Sequence, residues 1–316
     1  MYKLLSRCAI CAGVAATFAG CGVAPTVTTS ATHAEAPAAK AEGRGADLLY
    51  GSHSCGGLCV FSYPSLKRVG SVTIPSGTAG YLCSDTEGNV FVLPAGSSGG
   101  TIYEYAHGGT SPIATLSDGA PYGGEARGCS VDPTAESLAV TNNNASYGSN
   151  IAIYVGASGP PVVYQGGPKI ANIGGCGYDG AGNLYIAGED SGKHFSLAEL
   201  PHGTSSLSYL TGPQPSSFGH IQWVAGQMYM EDPAKYPQIY HIRIRGSTFK
   251  FVGTTTFQGP RRFGQAWIYK GQIVAPFTRI RANYRLGLWQ FPAGGTSIVR
   301  TAKLGYIQGA TISVGR

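Results

Sequence analysis

The feature that most constrains this chain is a hairpin that keeps returning. "YEYAHGGTSPIATL" (103–116), "IYVGASGPPVVY" (153–164), "LAELPHGTSSLSYL" (197–210), "YHIRIRGSTFKFV" (240–252) and "LWQFPAGGTSIVRTA" (288–302) each read as a short strand, a Gly or Pro turn and a second short strand. Their turn glycines, Gly109, Gly159, Gly203, Gly246 and Gly295, are 50, 44, 43 and 49 residues apart. "VFSYPSLKRVGSV" (60–72) is a divergent sixth copy. Between the hairpins lies a second unit, a glycine-rich approach, a strand, a tight turn and another strand: "AGYLCSDTEGNVFV", "ARGCSVDPTAESLAV", "IGGCGYDGAGNLYI", "FGHIQWVAGQMYM" and "FGQAWIYKGQIVA". Each period therefore holds four strands, which is the signature of a propeller blade.

The two ends complete the count. "DLLYGS" (47–52) reads as a second strand with no first strand before it, and "IQGATISV" (307–314) as a first strand with nothing after it. Pairing them in one sheet predicts an all-β, six-bladed propeller closed by the C-terminal strand on the N-terminal blade, a ring without an open edge. Composition agrees. With 48 Gly in 316 residues but 43% hydrophobic and 10% aromatic residues, the chain is turn-rich and able to build a core. An outer-membrane barrel needs alternating strands of roughly 9–11 residues, about twice these runs, and a two-sheet sandwich does not require a fourfold strand unit at fixed period.

The first residues stand apart. "MYKLLSRCAICAGVAATFAGC" has Lys3 and Arg7, a short apolar run and then small residues, the pattern of a secretory signal over 1–20. Its end, "TFAGC", resembles the bacterial lipobox, with Phe18 where Leu is usual, which implies acylation of Cys21. Residues 21–45 are rich in Ala, Thr and Pro and read as a tether, leaving 46–316 for the propeller. The expected location is the bacterial envelope, outer membrane or cell surface, with a lipid anchor, as a monomer and without nucleic acid.

Asp85-x-x-Gly88-Asn89 and Asp179-x-x-Gly182-Asn183, each followed by a strand, resemble NHL-repeat and gluconolactonase-like six-bladed propellers. The skeleton is explicit in two blades and explains itself locally: Asp accepts backbone hydrogen bonds, while Gly and Asn tolerate the tight turn. The resemblance implies a channel mouth that holds ligands or, in the lactonase-like enzymes, a divalent cation on Glu, Asn and Asp. Counting back seven residues from each turn reaches Thr78, Glu125, Asn172, Ser216, Arg261 and Gly305. Asn172 maps onto a metal-ligand position of that family, and Glu125 is a carboxylate in the neighbouring blade. The stretch "PSSFGH" offers no Asp where the family has one. A cation on Glu125 and Asn172 is thus the hydrolase alternative, and no other cofactor is implied. No Gly-x-Ser-x-Gly, Walker or His-Glu-x-x-His pattern is present.

Charge is the sharper functional signal. Residues 233–316 hold 13 Lys and Arg and no Asp or Glu, whereas 21–232 hold 7 basic and 16 acidic residues. Arg261 and Arg262 fall on an inter-blade loop, Arg279, Arg281 and Arg285 flank a loop of blade six, and His220 lies toward the same face. A basic sector there focuses anionic partners. The leading expectation is a non-catalytic binding module for an anionic glycan, lipid headgroup or partner protein, and a ligand-free structural scaffold is the remaining reading. Five cysteines survive signal removal and acylation. Cys55 and Cys59 in "SCGGLCV" form a local disulfide, and Cys83, Cys129 and Cys176 fall on innermost strands, either as buried packing residues or with Cys129 bridged to Cys176.

Overall fold

The computed structural model describes residues 45–316 except 53–54, 78, 97–99, 119–123, 145–147, 235, 280–282 and 302–303. The signal, most of the tether, Cys21, Thr78 and Arg281 lie outside the described residues. Six antiparallel sheets make up the rest, each a blade running from an innermost to an outermost strand. Blade one is closed as the sequence predicts. Ala310–Ser313 lies innermost and pairs antiparallel with Leu48–Ser52, with Leu49 opposite Ile312 and Tyr50 opposite Thr311.

The remaining innermost strands are Ala79–Ser84, Glu125–Val131, Asn172–Tyr178 and Ile221–Val224 for blades two to five. In blade six the sequence suggests one continuous first strand. The structure has two short pieces, Arg262–Phe263 and Trp267–Tyr269, both paired with Gln272–Thr278. Blade five also differs from expectation, since its innermost strand starts at Ile221 rather than near Ser216.

Burial follows position in the blade. Second strands are sealed on both faces, as in Val90–Pro94 and Gln272–Thr278. The outermost strand Gly294–Arg300 alternates buried or half-buried with exposed residues. The core is divided among the gaps between blades. One apolar cluster joins Tyr50, Leu58 and Val72 to Leu82, Val92 and Tyr105 across blades one and two. Further clusters fill the gaps between blades two and three, three and four, four and five, five and six, and six and one. Every gap of the ring is thus filled, and burial of large side chains such as Trp289, Tyr50, Tyr105 and Tyr154 holds the blades face to face.

Polar side chains supply register between neighbouring blades. Gln222 of blade five brackets the Ile268 peptide of blade six, accepting its N–H at 2.7 Å and donating to its carbonyl at 2.9 Å. Asn143 of blade three does the same to Ile173 of blade four, at 2.8 and 3.1 Å. The Asp-x-x-Gly-Asn turns behave as expected. Asp85 accepts from the backbone and side-chain nitrogens of Asn89 at 2.8 Å each, and Asp179 repeats this with Asn183 at 2.9 Å. Only the glycines take positive φ, 89° at Gly88 and 81° at Gly182, so the asparagines serve through their side chains.

The disulfides correct one expectation. Cys55–Cys59 forms as predicted. The second bridge joins Cys83 to Cys129, with Cα atoms 5.7 Å apart, and Cys176 keeps a buried thiol. Cys129 packs in the gap toward blade two while Cys176 packs in the gap between blades three and four, so Cys129 and Cys176 do not meet. Burial pushes the Cys176 thiol up to about 12.

Candidate functional site at the channel mouth

A glycine run opens the site. In "NIGGCGY" the innermost strand of blade four passes so close to the approach of blade five that a Cβ on Gly175 would lie 2.9 Å from the His220 Cα. One on Gly177 would lie 2.6 Å from the Ile221 carbonyl oxygen. This close approach carries Ser217, Phe218, Gly219 and His220 to the rim of a cavity of about 490 Å³, inside the roughly 300–1,000 Å³ range of small-ligand sites. Blade six contributes Arg262 and Gln265, and the last connection contributes Tyr306 and Gln308. Tyr81, Arg127, Asn172 and Tyr284 complete the wall.

Gln265 sits in the break between the two first-strand pieces of blade six, and its side chain reaches past blade one to Leu82 of blade two. Its Nε2 donates to the Leu82 carbonyl at 2.6 Å, and its Oε1 accepts the Leu82 N–H at 3.0 Å. Gly309 lies beneath it, where a Cβ would come within 2.7 Å of Oε1. Trp267, two residues on, packs against both the blade two–three and the blade six–one clusters, so it lies across the axis. His220 stacks on it, ring centroids 5.9 Å apart at 23°. A second cavity of about 500 Å³ opens beyond Trp267 on the opposite face, lined by Trp223, Asp85, Asp132, Glu136 and Lys270.

Two buried titratable groups face the mouth cavity. Glu231, 7% exposed, accepts the Ala266 N–H at 2.6 Å, and burial raises its carboxyl well above the ordinary range, which favours the protonated form. His220, 6% exposed, is pushed down to about 4 by burial and stays neutral; its Nδ1 is buried with no hydrogen-bond partner among the described residues. Both also line a water-sized gap with Gln222, Tyr229, Ala266 and Ile268.

The residues singled out in the sequence separate here. Arg262, His220 and Asn172 line the cavity together. Arg262 is exposed, and among the described residues it enters no ion pair. Arg261, Arg279 and Arg285 do not line it: Arg261 and Arg279 are exposed, and Arg285 donates to the Thr301 carbonyl at 2.8 Å. Glu125 is bound to Arg127 at 2.7 Å. Asn172 is engaged at both side-chain atoms, its Oδ1 accepting from Asn143 at 2.5 Å and its Nδ2 donating to Glu189 at 2.9 Å. Among the described residues, no group of three or more His, Cys, Asp or Glu side chains is arranged to hold a metal ion. A cation on Glu125 and Asn172 would have to displace these partners.

No family model matches the chain, and no curated protein matches it. Solved structures do. One described as a nidogen/laminin complex superposes with a TM-score of 0.59 at 14% identity, covering 85% of this chain and 99% of that one. A putative 6-phosphogluconolactonase from Bacteroides uniformis gives 0.54 at 12% identity, covering 83% and 84%. At such identities the likeness is one of fold. The chain is a six-bladed β-propeller.

Sequence reasoning missed Arg127, Glu231, Gln265 and the tyrosines Tyr81, Tyr284 and Tyr306. Signals existed for two of them. Arg127 follows Glu125 at the strand period of two. Glu231 and Asp232 follow the apolar run Met228–Met230 in the second strand Gln227–Asp232, where a carboxylate must find a partner or keep its proton.

Proposed function

We propose that this chain is an exported, lipid-anchored binding module of the bacterial envelope, and that its mouth cavity takes an anionic glycan. One observation carries the reading. The cavity presents the Arg262 guanidinium, which enters no ion pair among the described residues, beside Tyr81, Tyr284 and Tyr306, while the charges nearby are already engaged: Glu189 by Asn172 and Lys193, and Glu125 with Arg127. Guanidinium forks suit carboxylates, and tyrosine rings cover the C–H faces of sugars while their hydroxyls stay wet. Tyr306 is 45% exposed and its ring meets Tyr284 edge-on at 4.9 Å, so an aromatic wall is already built. The basic half of the chain adds long-range attraction for a polyanion.

The test is binding of the folded protein to immobilised polygalacturonate at rising salt. Wild-type protein is expected to bind in a salt-sensitive way, and Arg262→Ala to bind about tenfold or more weakly, the loss of a charge-assisted contact. Equal retention of Arg262→Ala and wild type, or retention unaffected by salt, rules the reading out. Export and acylation are tested separately. Cys21→Ala is expected to move the protein from the membrane to the soluble fraction of a bacterial host.

A further inference from the structure

We propose that His220 and Glu231 are the specificity floor of this cavity, and that the cavity reads the terminal hexuronate of an anionic glycan, end first. The inference rests on the glycan reading above and adds which part of the glycan is recognised and by what.

Gln265 and the His220–Trp267 stack lie across the channel between the mouth cavity and the second cavity, in the path of any chain threading the ring. Only the end of a polymer, or a free monosaccharide, reaches the floor. The floor is unlike the rim. Arg127 and Arg262 carry charge, whereas the floor offers two uncharged hydrogen-bonding groups, both more than nine-tenths buried. The Glu231 carboxyl accepts from the Ala266 N–H, and in the protonated form that burial favours it has a proton to donate. The His220 ring has an Nδ1 with no partner among the described residues. A buried polar atom left unpaired is costly, so a ligand hydroxyl that pairs with it recovers a hydrogen bond. A donor and an imidazole side by side match vicinal hydroxyls. A hexuronate presents such hydroxyls on the ring that carries the carboxylate, and the Arg262 guanidinium at the rim takes that carboxylate.

The groups around Glu231 support the assignment. His220, Gln222 and Tyr229 of blade five and Ala266 and Ile268 of blade six surround it, and none brings a charge near neutral pH. An ionised carboxylate there would have no counter-charge and would repel an anionic ligand; a protonated one does neither.

Calorimetric titration with D-galacturonate, trigalacturonate and polygalacturonate tests this, on wild type, Arg262→Ala, His220→Phe and Glu231→Gln, each checked for a cooperative thermal transition. Phenylalanine keeps the ring stack on Trp267 and removes both nitrogens. Glutamine keeps an acceptor for Ala266 and a neutral donor. The expected result is that wild type binds all three ligands with a stoichiometry that follows chain ends. His220→Phe should lose tenfold or more in affinity, and Glu231→Gln should stay within about threefold of wild type. If Arg262→Ala weakens binding but His220→Phe binds like wild type, the floor assignment falls and the glycan reading stands. Loss of binding in folded Glu231→Gln overturns the neutral-acid role. Stoichiometry that follows total uronate overturns end recognition. If wild type binds none of the three, both readings fall together.

Discussion

Replacing Gln265 by leucine isolates the contact that stoppers the channel. The side chain makes two hydrogen bonds to one peptide, donating to the Leu82 carbonyl at 2.6 Å and accepting the Leu82 N–H at 3.0 Å, and all three groups are buried. Leucine has nearly the same volume, so it fills the space and leaves both Leu82 groups unpaired and dry. Each orphaned group costs about 1–3 kcal/mol, giving roughly 2–6 kcal/mol in all. That is a large share of the roughly 5–15 kcal/mol that holds a typical domain folded. Gln265→Ala should cost less, because the smaller side chain opens the floor to water from the mouth cavity, and water can satisfy Leu82. Urea unfolding followed by tryptophan fluorescence measures both variants. The expected order of stability is wild type, then alanine, then leucine. A leucine variant within 1 kcal/mol of wild type, or one more stable than the alanine variant, refutes the claim that this peptide depends on Gln265.

Two further outcomes follow from buried chemistry. The Cys83–Cys129 bridge closes 46 residues between the innermost strands of blades two and three; the Cys83→Ser, Cys129→Ser double variant should lose roughly 4 kcal/mol of urea stability in the chain-entropy model, and an unchanged midpoint would show that the native ring already fixes this approach. For pH dependence, the His220 value in the fold, about 4, lies below its ordinary 6.5. Its contribution is therefore complete above pH 6.5 and is lost as pH falls toward 4, a loss on the order of 3 kcal/mol. Glu231 has the opposite sign: its raised value means stability is complete below pH 4.5 and declines as pH rises through the folded value. Thermal midpoints against pH should show His220→Phe flattening the acid limb and Glu231→Gln the alkaline limb; unchanged limbs would place both groups in contact with bulk water.

The ring was legible because its information is local and repeated. A hairpin, a tight turn and two strands recur in every period, so hydrophobic pattern and turn chemistry suffice to count blades, and the split blade declares itself at the two ends of the propeller. The Asp-Gly-Asn turns are likewise contained within five residues. The mouth is a different kind of object. Its parts come from blades two to six and the last connection, and the decisive contacts are long in sequence: Ala266 to Glu231 spans 35 residues and Gln265 to Leu82 spans 183. Period alone says that six strands approach an axis, but not which side chains cross it. The arginine count singled out one sector but weighed five residues alike, and only Arg262 among those described lines the cavity. The difference lies in backbone register: Arg262 opens the first piece of an interrupted innermost strand, whereas Arg261 and Arg279 flank it outside the lining and Arg285 is tied to Thr301. That same interruption frees Gln265 to cross the axis and Ala266 to hold Glu231. One break in one strand thus places both the stopper and the backbone donor that holds the buried acid.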